Sequence, residues 1–257
     1  MKQAPILAFI VACVIWETAT RFFEVPRYIF PSLSTVMFEL ADHFGLVAKN
    51  TGVTALESLF GALIGCAVGF TLGSLMALNR WARSVLLPYV VGSNSVPIVA
   101  IAPLVALWFG HGLLPKVVVA AFLCFFPIAI NTYDGLRDRG GVFKELFTVI
   151  GASSEFYFWN LRMPLAVPYI VAGAKVSAVL AVIGAVVAEF VGSDAGLGFG
   201  MVQATYSLDT PRLFGYMIVA CALGLLFYGL VVVGELLLKR SGRWDWAFGA
   251  HEEALND

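Results

Sequence analysis

Six apolar stretches, at about residues 4–23, 53–78, 85–109, 113–133, 165–191 and 212–238, are each long enough for a helix to cross bilayer hydrocarbon, which takes about 20 residues. That pattern leaves few folds open. Within lipid every backbone N–H and C=O must find a partner inside the chain, and a helix provides one segment by segment. The expected fold class is all-α: a polytopic transmembrane bundle of about six spans, forming a single domain over residues 1–257. Composition agrees, with 60% of residues hydrophobic and 13% charged, against about 45–50% and about 25% in soluble domains. A formal net charge of −1 offers no basic excess to a nucleic acid. Cys13, Cys66, Cys124 and Cys221 sit in separate apolar runs without disulfide or metal spacing. The first stretch reads as a retained span, because Glu17 and Arg21 follow it without a small-residue cleavage site.

Basic residues set the expected orientation, since Lys and Arg collect in cytoplasmic loops. With the N-terminus inside, inner segments carry Lys2, Arg80, Arg83, Arg137, Arg139, Lys144, Arg162, Lys239, Arg240 and Arg243, whereas outer ones carry Arg21, Arg27, Lys49, Lys116 and Arg212. Both termini are then cytoplasmic in a multi-pass inner-membrane protein. The tail run Arg243–Trp246 suits the headgroup zone. In the long outer segment, PSLSTVMFEL reads as a short helix with Ser32 or Ser34 near its cap.

Inside the spans, Gly61, Gly65, Gly69 and Gly73 recur every fourth residue and line one helix face. Small faces let helices approach closely in lipid, and two readings are open: fixed packing, or a surface that slides during a transport cycle. Gly173, Ser177, Ala181, Ala185 and Glu189 repeat the step in the fifth span. The third span is broken by Pro88, Pro97 and Pro103, with Gly92, Ser93, Asn94 and Ser95 between. Interrupted backbone at membrane depth survives when buried in protein or lining a wet cavity. Ser93, Asn94, Ser95 and Glu189 are thus the candidate substrate pathway, with a plain structural kink as the other reading of the serine-rich break. Glu57 and Lys175 fall near span ends, where long side chains snorkel; Asn131 and Asp134 read as helix terminators.

The inner segment, 134–164, carries the most specific signal. Phe143, Leu146, Phe147 and Ile150 form one helical stripe, Gly151 interrupts it, a second apolar stretch runs from Phe156 to Trp159, and Pro164 suits the first turn of the next span. Such an element either lies on lipid or docks into a partner's groove.

Its spacing is Glu145, five residues, Gly151, nine residues, then Leu161-Arg162-Met163-Pro164. This resembles the EAA loop of ATP-binding-cassette importer permeases of type I, with Leu146 and Phe147 standing for the two alanines. VPRYIFPSLSTV (25–36), SVPIVAIAPLVALWFGHGLLPKVV (95–118), FFPIAINTYDGL (125–136) and VVAEFVGSDAGLGF (186–199) are similar to the nitrate, sulfonate and taurine branch, which includes pyrimidine-precursor and riboflavin importers. The resemblance implies a permease paired with a second copy or a sister subunit, cytoplasmic ATPase subunits bound at the loop, and a periplasmic or lipid-anchored substrate-binding protein outside. By position it makes Lys144, Glu145, Leu146, Phe147, Ile150, Gly151 and Pro164 the ATPase-coupling residues.

Nothing in the chain matches Gly-x4-Gly-Lys-Ser/Thr, and the GLGFG run at 196–200 reads as a flexible loop end. His43, His111 and His251 give no metal spacing, and no nucleophile constellation assembles. No cofactor and no catalysis are expected of this polypeptide. Two other classes differ by feature: a secondary carrier or channel would favour paired intramembrane charges and internal repeats, and a membrane enzyme would need a catalytic cluster at depth. Spans free of Arg clusters tilt the expected cargo toward a neutral or weakly charged organic molecule such as a pyrimidine or flavin precursor.

Overall fold

A computed structural model describes residues 4–137, 147 and 149–240. Its long helices are α1 (Ala4–Phe22), α3 (Phe44–Leu78), α6 (Leu113–Leu136), α8 (Met163–Glu189) and α10 (Thr210–Arg240). Shorter ones are α2 (Leu33–Asp42), α4 (Arg80–Ser93), α5 (Ile98–Phe109), α7 (Ser154–Tyr157) and α9 (Leu197–Tyr206), with a π-helical turn Phe158–Arg162 leading into α8. No strand occurs among the described residues. The all-α bundle expected from the sequence is the fold.

The glycine stripe builds the centre. A Cβ placed on Gly61 would lie 2.4 Å from the Ala120 Cβ, and those on Gly65 and Gly73 2.5 Å from the carbonyl oxygens of Ala121 and Ala129. These contacts leave no room for a side chain, so α3 and α6 meet backbone to backbone. The partner numbers rise together along both helices, hence α3 and α6 run in the same direction. The chain between them must return across the bundle.

The pair α4–α5 makes that return. Asn79 caps α4, its side-chain oxygen accepting from the N–H groups of Trp81 and Ala82. Val90 of α4 packs with Met76 and Tyr133 at one end of the bundle. Ala102 and Val105 of α5 pack with Val119 and Ala188 toward the other. Between them the axis bends by 101°. The expected third span is therefore one broken crossing, and with the five long helices it completes six. The break is sharper than a kink, because Pro97 cannot donate to a continuing helix and holds the residue before it out of the α region.

Helix α8 runs against α6: Gly135 meets Ala166 and Tyr169, Gly173 meets Asn131, and Gly184 meets Ala120. Asn131 does not terminate α6, which continues to Leu136; its amide donates to the Pro127 carbonyl at 2.8 Å, inside the helix. Helix α10 runs against α8 in turn, with Gly224 near Val179. We call the end holding Asn79, Leu136 and Arg162 the loop end, and the opposite one the far end.

Helix α1 touches the bundle only through its C-terminal turns at the far end. There the Trp16 indole donates to the Pro31 carbonyl at 3.0 Å and stacks on Phe30. Glu17 accepts from the Ser34 N–H at 3.0 Å and the Ser34 hydroxyl at 2.8 Å. The N-cap of α2 is Ser32, as expected, yet its side chain makes no capping bond; the carboxylate of another helix does that work. The outer surfaces of the spans are apolar, Leu63, Leu107, Leu225 and Leu236 all being exposed, as lipid contact requires.

Candidate functional site

Three groups of residues stand out, one at the far end, one at mid-depth and one at the loop end.

At the far end a polar network is sealed inside the bundle. Glu189, the last residue of α8, is 1% exposed. Its carboxylate accepts from the Thr54 hydroxyl at 2.6 Å and from the Gly198 N–H at the start of α9. Thr54 also accepts from the Leu197 N–H at 2.8 Å, and Asn50 joins the Gly196 N–H to the Tyr216 hydroxyl. Four unsatisfied N–H groups begin every helix; at the start of α9 buried side chains from α3 and α8 take three, those of Gly196, Leu197 and Gly198. Next to Glu189 lies Glu57, whose carboxylate pairs with Lys116 at 2.9 Å.

This arrangement corrects three sequence expectations. GLGFG is no flexible loop end but the buried start of α9: a Cβ on Gly196 would strike the Glu189 carboxyl at 2.2 Å, and one on Gly200 the Tyr216 ring at 2.4 Å. Glu57 does not snorkel, being 1% exposed. Nor does Lys175, which pairs with Glu235 of α10 at 2.6 Å. Paired charges inside the bundle, the feature reserved for a carrier, are thus present. Both pairs tie neighbouring helices together, and the Lys116–Glu57 pair is buried between α6 and α3.

At mid-depth the break between α4 and α5 presents Asn94 and Ser95 on the surface of the chain, with Ser93 half-buried. The Ser93 hydroxyl turns back to the Val90 carbonyl at 2.7 Å. Glu189, grouped with these residues in the sequence, takes all its hydrogen-bonding partners from α3 and α9 instead. An open groove between α8 and α10, lined by Val182, Ile183, Val186, Ala220 and Leu225, holds no group that could orient a polar solute.

At the loop end, Lys144, Glu145 and Leu146 lie outside the described residues. Phe147 packs its ring on Tyr157 and Phe156, 5.4 and 6.1 Å between centroids, which joins the two apolar stretches into one element. Gly151, between them, has φ +67 and no atom within 4 Å of a notional Cβ. It is chosen for backbone conformation. Ser153 caps α7 by accepting from the Phe156 N–H. Val149, Ile150, Phe156 and Trp159 stay exposed, by 83, 62, 52 and 58%, although basic residues surround them in sequence. Pro164 is buried in the first turn of α8.

Residues signalling the far-end network were missed by sequence reasoning, apart from Glu189 and Glu57. The spacing of Gly196, Gly198 and Gly200 was the available sign, since glycine at every second position suits close backbone approach.

Residues 69–242 match the family described as binding-protein-dependent transport system inner membrane component. A probable ABC transporter permease protein of Haemophilus influenzae is 34% identical over 87% of this chain and 91% of its own. The formylaminopyrimidine transport permease protein ThiX of Halalkalibacterium halodurans is 33% identical over 91% and 94%. The riboflavin transport system permease protein RibX of Chloroflexus aurantiacus is 33% identical over 90% and 86%. Among solved structures, an inward-facing form of the MetNI methionine ABC transporter superposes with a TM-score of 0.60, covering 75% of this chain and 97% of that one at 18% identity.

Proposed function

Because the chain belongs to the family of binding-protein-dependent transport system inner membrane components, we propose that it works as a pair of copies, driven by separate ATPase subunits, to import a small neutral heterocycle. The chain is a multi-pass permease of the ABC importer class, and its relatives are named for transport. The observation that carries the coupling role is the exposed apolar cluster Val149, Ile150, Phe156 and Trp159 at an end of the bundle that also bears Arg80, Arg83 and Arg137. An apolar centre within a polar rim is how protein interfaces are built. It suits a partner in water better than lipid.

Orientation follows in the same proposal: loop end cytoplasmic, both termini inside. The basic count supports it, since ten Lys and Arg fall in the segments assigned inside and five in those assigned outside.

The pathway passes the α4–α5 break. Asn94 and Ser95 are exposed polar groups at mid-depth, a position where lipid is a poor neighbour and a wet cavity or a second copy a good one. Hydroxyl and amide groups without a cation favour a neutral cargo over an anion. With the names of two relatives, this points to a pyrimidine or flavin-type ring.

The test is uptake by proteoliposomes holding the permease, its ATPase and its binding protein, given radiolabelled formylaminopyrimidine, riboflavin or taurine. ATP-dependent accumulation of one of the heterocycles is expected. Accumulation of taurine alone would overturn the cargo assignment, and uptake indifferent to ATP would overturn the importer.

A further inference from the structure

The turn that leads from the loop surface into α8 is wound unusually. The Met163 N–H bonds to the Phe158 carbonyl, a π-helical step that inserts one residue into a single turn. Such steps are rare and gather at functional positions. Here the extra residue changes which side chains face the bundle. Leu161 is buried at 7% exposure, while Trp159, two residues earlier, is 58% exposed. Arg162 then points at the end of α6, where its Nε and Nη2 both donate to the Leu136 carbonyl.

That carbonyl is one of the last four in α6, which have no partner inside the helix. A guanidinium there satisfies it and sits at the negative end of the helix dipole. The same junction is close-packed: Leu136 is 1% exposed, Ala166 fully buried, and a Cβ on Gly135 would lie 2.9 Å from the Tyr169 Cβ. Helix α6 is in turn fixed to α3 along the glycine stripe. One side chain thus joins the element bearing Phe156 and Trp159 to the most deeply packed helix of the bundle.

We propose that Arg162 is a positioning residue for transport, the tie through which displacement of the exposed loop surface is passed to α6 and so to α3. This rests on the importer reading above. Without the tie, α7 and the π-turn would move against the bundle, and ATP would be spent without turning it.

The complete complex of permease, ATPase and binding protein in proteoliposomes tests this, with R162A, R162Q and R162K compared to the unaltered chain. The readout is ATP hydrolysed per solute imported, with assembled complex quantified by size-exclusion chromatography. Losing a hydrogen bond to a charged donor at a part-buried carbonyl predicts a rise of roughly tenfold in that ratio for R162A and R162Q. ATP hydrolysis and assembly are expected to be retained, and R162K, which restores a charged donor, to rise less. An unchanged ratio in R162Q overturns the proposal. So does equal loss of assembly and of both activities at constant ratio, the mark of a merely structural contact. If the unaltered complex hydrolyses ATP without importing any solute, the importer reading itself fails, and that outcome is seen before any variant is compared.

Discussion

Burying an ion pair is expensive, and Lys116 with Glu57 shows how little slack such a pair leaves. The two side chains are 11% and 1% exposed and 2.9 Å apart, and Glu189, a second carboxyl, stands beside them. Removing one partner strands the other's charge, which costs about 3–5 kcal/mol in buried pairs. Replacing both with apolar residues of similar volume is often neutral. Lys116→Met should therefore lower the thermal midpoint in detergent sharply, whereas Lys116→Met with Glu57→Met should recover most of the loss. A double variant as unstable as the single one would show that the pair matters through something other than its charge. Sequence alone hinted at only part of this. Glu57 and Glu189 stand out as carboxyls in apolar runs, but the Thr54–Glu189 bond joins residues 135 apart in the chain. No local period encodes that distance. The same blindness hid the Lys175–Glu235 pair, because each residue read singly looks like a snorkelling end group.

Elements were far more legible than their partners. Four glycines at a step of four announce a close-packed face whatever that face meets, and the run Gly92–Pro97 announces broken helix from the side-chain chemistry of its own residues. What could not be read was that α3 and α6 are neighbours: alternate spans run parallel, but only the contact pattern reveals that the second packs on the fourth. Nor did composition signal the π-turn, which arises from the competing demands of Leu161 burial and the Leu136 carbonyl. The two kinds of glycine make a paired prediction. At Gly65 a side chain meets backbone at 2.5 Å, while at Gly151 it meets nothing and only the positive φ resists it. Gly65→Leu should force α3 from α6 and destabilise the fold by about 1–3 kcal/mol or more, read as loss of folded protein on a thermal ramp. Gly151→Val strains one residue by roughly 1–2 kcal/mol and should leave the melting profile nearly unchanged while impairing ATP-driven uptake. Normal uptake by Gly151→Val at ordinary expression would count against a coupling role for that turn.

At the scale of the whole molecule, one chain does not account for its own surface. Five long helices and a broken sixth crossing bury α6 thoroughly, yet they leave Asn94 and Ser95 uncovered at mid-depth. A lone permease in lipid would hold an amide and a hydroxyl against hydrocarbon. An unpaired polar group costs several kcal/mol there, roughly 4–8 on the water-to-cyclohexane scale. Two copies facing each other across this break would convert the same groups into the lining of a wet passage. The two arrangements predict opposite chemistry at one atom. Ser95→Cys, in a chain whose exposed Cys221 is replaced by Ser, should react with a charged, membrane-impermeant thiol reagent once the copies assemble. That reaction should slow when transported solute is present and be blocked by prior modification with a bulky reagent that also stops uptake. A lipid-facing thiol would behave otherwise: it would resist the charged reagent, yield to a hydrophobic one, and be indifferent to solute. Lipid as the neighbour of the break would remove both the paired assembly and the passage at a stroke, leaving the proposed docking of an ATPase at the loop surface to stand without them.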